Sequence, residues 1–199
     1  FDRGGLAPGQ LALIHGGAGG LGSFAVQFAC WAGARVAATC STSNLDYVQG
    51  LGAERVIDYR RESIPEAIAD WAPGGLDYLM DAVGTSTLPN GLDLVRPGGT
   101  FVSIPTLVDD GDIPAAAAMA AERGVKRVFS TMDDTDCAAT LTRIAQLLVK
   151  GDIRLPPIEQ YPLAAVADVH SILQQGHNRG KKVLKVADLD SSQTGIKHV

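Results

Sequence analysis

The sequence contains no closely spaced pair of cysteines. Its three, Cys30, Cys40 and Cys137, are odd in number and far apart, and its four histidines are scattered. This excludes a disulfide framework and leaves no Cys/His cluster to hold a structural zinc or other metal. No apolar run reaches the roughly 18 residues that a membrane-spanning helix needs, and the first residues do not read as a signal peptide. Positive charge is in deficit. Lys and Arg total 17 against 22 Asp and Glu, a formal net charge of -5, so the basic footprint of a nucleic-acid binder is missing. A protein of the reducing cytoplasm, touching neither membrane nor nucleic acid, is the expectation.

What is abundant is apolar surface and glycine. Hydrophobic residues make up 46% of the chain, charged residues 20%, and there are 23 glycines. That balance builds a sizeable core with many tight turns. Short apolar runs alternate with helical spacing. Strands are expected at Gln10–Ile14, Arg35–Thr39, Glu54–Asp58, Leu76–Asp81, Thr100–Ile104 and Val125–Ser130. Helices are expected from Leu21 to a stop at Gly33, and at 44–51, 63–71, 86–95, 114–123 and 134–150. Ser63 and Glu66 have the spacing of a capping box. Strands joined by crossover helices imply an α/β fold with a doubly wound parallel sheet. Residues 1–152 read as this domain. After Gly151 the pattern breaks at Leu155-Pro156-Pro157. Residues 153–187 then carry a strand at 158–161, an amphipathic helix at 163–175 and a last strand at 182–186. Residues 188–199 form a polar tail.

One motif carries chemistry. Gly17-Ala18-Gly19-Gly20-Leu21-Gly22 fits G-x-G-x-x-G. It follows a buried strand and opens an amphipathic helix, the context that makes the pattern a dinucleotide fingerprint of Rossmann type. In this reading Gly17 allows the tight turn, Gly19 lets a pyrophosphate approach the backbone, and Gly22 lets helix and strand pack closely. The helix N-terminus offers free N–H groups to the phosphates. At the end of the second strand, where an acid would hold the ribose 2′-hydroxyl of NAD, the residues are Ala38-Thr39-Cys40-Ser41-Thr42-Ser43-Asn44. With no acid there, NADP(H) is favoured over NAD(H). Arg35 lies at the opposite end of that strand and reads as a solvent-exposed charge.

These residues resemble the medium-chain dehydrogenase/reductase superfamily, in its zinc-independent, quinone oxidoreductase-like branch. The likeness rests on Ile14 to Ser23, Gly33-Ala34-Arg35-Val36, Leu51-Gly52-Ala53 and Val56-Ile57-Asp58-Tyr59-Arg60. It continues through Leu76 to Gly84, Pro97 to Val102, Tyr161-Pro162-Leu163 and Gly180-Lys181-Lys182-Val183-Leu184, and so spans nearly all of 1–187. The resemblance implies an NADP(H)-dependent reductase of quinones, enones or similar carbonyl compounds. It implies contacts from Ser41 and Tyr59 to the adenosine 2′-phosphate, and from Val83 and Ile104 to the nicotinamide half. Many members carry Lys or Arg where this chain has Ser43-Asn44. The change removes a charge-assisted phosphate contact and leaves NAD(H) as a possible cofactor.

The resemblance also implies a preceding barrel-like domain, which holds much of the substrate pocket and, in zinc-dependent members, the metal ligands. Residues 153–187 would return to it, so the chain is expected to be the cofactor-binding part of a longer enzyme. Two other readings stand beside this one: an enoyl-reductase module of a larger synthase, and a non-catalytic dinucleotide-binding sensor. A homodimer through a sheet edge, with 100–108 beside that edge, is the expected assembly.

No catalytic residue is singled out, because the cofactor carries the chemistry of hydride transfer. His15 reads as a structural histidine bonded to neighbouring backbone, Asp81 as a cap for the loop after it, and Cys30 and Cys40 as core residues. Tyr-x-x-x-Lys and the G-x-S-x-G elbow are both absent.

Overall fold

The computed structural model describes residues 5–84, 86–104, 113–129, 137–176 and 178–187. The first half follows the expected alternation: β1 (Leu11–His15), α1 (Gly22–Trp31), β2 (Arg35–Cys40), α2 (Leu45–Gln49), β3 (Arg55–Asp58), α3 (Ile64–Trp71) and β4 (Leu76–Asp81). Then come β5 (Val95–Ser103), α4 (Ile113–Glu122), β6 (Lys126–Phe129) and α5 (Cys137–Lys150). All six strands pair in parallel in the order β3-β2-β1-β4-β5-β6. This is the doubly wound order, and its direction of winding reverses between β1 and β4.

The core lies on both faces of the sheet. Ala12, Ile14, Val36, Ala38 and Tyr78 pack against α1 and Val48 on one face. Leu13, Ala37, Ile57, Leu79 and Phe101 pack against Ile64, Ala67 and Ile68 of α3 on the other. Strands covered on both faces must be apolar throughout, which is why β1 and β2 read as continuous apolar runs.

Local chemistry sets the ends of the elements. Ser63 caps α3, accepting from the Glu66 N–H at 3.5 Å. Gly33, Gly124 and Gly151 take φ of +83°, +67° and +78° where helices stop, a conformation that costs glycine nothing. The helix expected over 86–95 does not form. Residues 86–90 are turns, Gly91–Leu94 is a single 3-10 turn, and β5 already begins at Val95. Pro89 removes a donor and Gly91 is a poor helix former. The helix expected from Asp134 is described only from Cys137. Residues 105–108 and the tail 188–199 lie outside the described residues.

The remainder forms β7 (Ile158–Pro162), α6 (Val166–Gln174) and β8 (Lys181–Lys185), with a 3-10 turn at Leu163–Ala165 where α6 was expected to begin. β7 and β8 pair in parallel as a separate two-stranded sheet. Ahead of β8, Gly180 forms an isolated parallel bridge with Gly19, and its N–H donates to the Ala18 carbonyl at 3.1 Å. The last strand is therefore tied to the glycine-rich turn. Among the described residues no helix is long and apolar enough to cross a membrane.

Candidate functional site

Where the winding reverses, the loops after β1 and β4 diverge and leave a crevice at the carboxyl ends of the strands. A cleft of about 710 Å³ opens there, lined by residues of the glycine-rich turn, the ends of β2 and β4, the start of α3, and Gly176 and Asn178. Its volume falls in the range of small-molecule and cofactor sites.

The glycine-rich turn has a left-handed residue just ahead of the fingerprint, Gly16, at φ +86°. The Gly19 N–H closes on the Gly16 carbonyl at 3.2 Å, which puts Gly17 and Ala18 at the centre of the tight turn. Gly17 is needed for space: a Cβ there would meet Ala38, Val48 and Val26 at 3.0 to 3.4 Å. Gly22 behaves as expected, since a Cβ would collide with the Gly16 carbonyl oxygen. Gly19 lines the cleft, and a Cβ on it would meet only the Gly16 oxygen, at 3.5 Å. No side chain caps α1 at Leu21; the Ser23 N–H donates to the Gly19 carbonyl at 2.9 Å, and among the described residues no backbone bond occupies the Gly22 and Phe24 N–H groups, which are left for an anion. A cradle closed to side chains, set at an uncapped helix start, fits the pyrophosphate of a dinucleotide.

A relay of hydroxyls, buried at Thr39 and His15 and exposed at Thr87, supports this turn. His15 Nε2 lies 2.9 Å from Thr87 Oγ1, and that hydroxyl donates to the Gly84 carbonyl at 2.8 Å. Thr87 must therefore accept from the ring, which puts the proton on Nε2. Nδ1 then accepts from the Thr39 hydroxyl at 2.8 Å, and Thr39 Oγ1 accepts the Gly16 N–H at 2.9 Å. Burial pushes the His15 pKa down and Asp81 opposes it, in keeping with a neutral ring. His15 also lines the cleft, and its partners are the side-chain hydroxyls of Thr39 and Thr87 where bonds to neighbouring backbone were expected. Asp81 caps the β4 loop, its Oδ1 accepting from the Val83 and Gly84 N–H groups at 3.0 and 2.8 Å.

At the end of β2 the cleft is lined by Ser41, Asn44 and Tyr59. The Asn44 Nδ2 donates to Ser41 Oγ at 3.1 Å. Two acids lie close by, and both are committed. Asp58 accepts from the Thr42 hydroxyl at 2.6 Å and from the Arg60 N–H at 3.1 Å, and the Thr42 bond holds its carboxyl below the usual range. Glu62 pairs with Arg55 and accepts the Asp58 N–H at 2.8 Å. Arg35 sits at the far end of β2, half-exposed against Glu54 and Trp71.

Of the expected site residues, Ala18, Gly19, Ser41, Asn44, Tyr59 and Val83 line the cleft. Gly17, Gly20, Leu21 and Gly22 shape the turn behind it. Val83 is two residues past β4 and exposed. Ile104 follows β5 and packs against the core cluster of Met80 and Val102, outside the lining. Among the described residues no group of His, Cys, Asp and Glu is placed to hold a metal.

Two cations escaped the sequence reading. The Arg179 guanidinium donates from Nε to Asn44 Oδ1 at 2.9 Å and from Nη2 to the Ser43 carbonyl at 2.8 Å, and it lies over the Tyr47 ring. The Lys181 side chain lies against Gly20, its Nζ 2.9 Å from where a Cβ would stand. Both belong to a segment assigned to another domain. The available signal was the Arg179-Gly180-Lys181-Lys182 run just before the last strand.

A family model described as zinc-binding dehydrogenase matches residues 20–146. The chain is 34% identical over 189 residues to the spectinabilin polyketide synthase system protein NorB of Streptomyces orinoci, covering 92% of this chain and 8% of that protein. It is 32% identical over 197 residues to the human mitochondrial NAD(P)H oxidoreductase RTN4IP1, covering 89% of this chain and 48% of the relative. The quinone oxidoreductase from Coxiella burnetii superposes with a TM-score of 0.81 at 28% identity, covering 94% of this chain and 56% of that one. The chain thus spans about half the length of the second and third of these, and a small part of the first.

Proposed function

The chain belongs to the medium-chain dehydrogenase/reductase superfamily, and from that premise we propose that it is the cofactor-holding part of an NADP(H)-dependent reductase of quinones, enones or related carbonyl compounds. One observation carries the reading: a glycine-closed, uncapped helix start opens into a cleft whose β2 end has no uncommitted carboxylate. When bound, the nicotinamide supplies the hydride. The chain's part is to hold the pyrophosphate at Gly19 and α1, to seat the adenosine end against Ser41, Asn44 and Tyr59, and to orient the other half beside Val83. Ile104, behind the cleft wall, supports that half through the core.

A second reading, an enoyl-reductase module of a larger synthase, is favoured by the likeness to the polyketide synthase protein NorB, only 8% of whose length the match covers. The β7–β8 unit leaves Ile158, Leu163, Leu173 and Val183 exposed. We propose that this face meets a further part of a longer enzyme. β6 is an edge strand of the main sheet, and an unpaired edge invites pairing, so a homodimer through it is proposed; sedimentation of a monomer at high concentration would refute it.

Calorimetric titration of the 199-residue chain with NADPH and NADH tests the cofactor reading. Tighter NADPH binding is expected. Tighter NADH binding would overturn the NADP(H) preference, and binding of neither would overturn the site.

A further inference from the structure

We propose that Arg179, from the carboxy-terminal segment, reads the 2′-phosphate of the cofactor in place of the basic residue missing at Ser43-Asn44; this rests on the NADP(H) reading above. Asn44 occupies a position where a cation would be expected, yet its side chain acts as a bracket to one. Its Nδ2 donates to Ser41 Oγ and its Oδ1 accepts from Arg179 Nε. A second bond to the Ser43 carbonyl and the face of Tyr47 fix the guanidinium in place. The three contacts span between 132 and 136 residues of sequence and hold the cation one side chain away from Ser41.

None of the Arg179 partners is an acid, and among the described residues no carboxylate pairs with it. An arginine held rigidly without a counter-charge is one prepared for an anion. A guanidinium carries five N–H donors. Two are used here, and the others suit the fork geometry with which arginine grips a phosphate. Its neighbours place that anion at the adenosine end of the cleft. Lys181 sits two residues on and lies instead against Gly20, at the turn that serves the pyrophosphate. The two cations flanking Gly180 therefore divide the labour. Lys181 serves any dinucleotide, whereas Arg179 serves only the phosphorylated ribose.

The test uses two probes that lack the nicotinamide half, 2′,5′-ADP and 5′-AMP, titrated calorimetrically into the 199-residue chain and its variants. The unsubstituted chain is expected to prefer 2′,5′-ADP. Arg179→Gln should weaken 2′,5′-ADP by about 10- to 100-fold, the range for one charge-assisted contact, and leave 5′-AMP unchanged. Lys181→Gln should weaken both probes alike. Melting curves establish that each variant folds. If Arg179→Gln does not fold, Arg179→Lys carries the test, since it keeps the charge but loses the fork and should still lose 2′,5′-ADP affinity selectively. A preference for 2′,5′-ADP that survives at Arg179→Gln overturns this inference alone. No preference in the unsubstituted chain overturns the NADP(H) reading, and the Arg179 assignment with it.

Discussion

Thr39→Val tests the relay behind the glycine-rich turn. Valine matches threonine in shape, so the substitution removes one oxygen and little else. That oxygen accepts the Gly16 N–H at 2.9 Å and donates to His15 Nδ1 at 2.8 Å, in a residue with no solvent exposure. Without it a part-buried donor, the Gly16 N–H, and a buried acceptor, His15 Nδ1, both lose their partners. Stranding each costs about 1–3 kcal/mol, and the added methyl returns part of that, so a net loss of about 2–4 kcal/mol is expected. For a domain of this size each kcal/mol lowers Tm by about 2–4 °C, which gives a drop of about 4–16 °C. Thr39→Ser is the control. It keeps both bonds and loses only a buried methyl, about 1 kcal/mol. Calorimetric melting should rank threonine above serine and serine above valine. A valine variant that melts at or above the serine variant would refute the relay as a source of stability.

The remaining predictions draw on the same region. His15 is pushed below its ordinary value of 6.5 by burial, so near that pH the unfolded chain binds more protons than the folded one. This contribution to stability is complete above pH 6.5 and declines as pH falls through 6.5 toward the depressed value. Tm should therefore drop between pH 7.5 and 5.5, and His15→Asn should flatten the slope; an unchanged slope would acquit His15. Gly22→Ala, which in an ordinary helix would stabilise, should instead cost about 1–3 kcal/mol because the new Cβ meets the Gly16 carbonyl. Gly19→Ala should melt within about 1 kcal/mol of the unsubstituted chain, since its Cβ finds room, yet bind NADPH more weakly. If Gly22→Ala proves as stable as Gly19→Ala, the packing account of the turn fails.

The legible part of the fold is the part with local causes. Buried parallel strands must be apolar on both faces, so β1, β2 and β4 could be read from composition alone. Helix stops at Gly33 and Gly151 and the cap at Ser63 are one-residue events with one-residue signals. The helix expected at 86–95 does not form because Pro89 and Gly91 break it from within, ahead of the Pro97-Gly98-Gly99 stop. The left-handed Gly16 was not legible because G-x-G-x-x-G starts at Gly17, the first central residue of the Gly16–Gly19 turn. Ser41, Asn44 and Tyr59 line the cleft because they follow strand ends, which topology fixes. Ile104 packs on the core instead, since a residue past a strand end can turn either way. Arg179, Lys181 and the Thr39–His15–Thr87 relay were not legible, since each depends on a contact that only the folded chain creates.

The hydrogen bond from Gly180 to the Ala18 carbonyl joins two segments far apart in sequence, and that separation bears on biosynthesis. On the ribosome the glycine-rich turn emerges well before the strand that clamps it. Closing so long a loop is entropically slow and raises the contact order of the site well above that of the neighbouring βαβ units. A nascent chain can therefore assemble most of its sheet while the pocket stays unfinished. Because a ligand stabilises only the state that binds it, nucleotide would reinforce completed molecules and give little help to truncated ones.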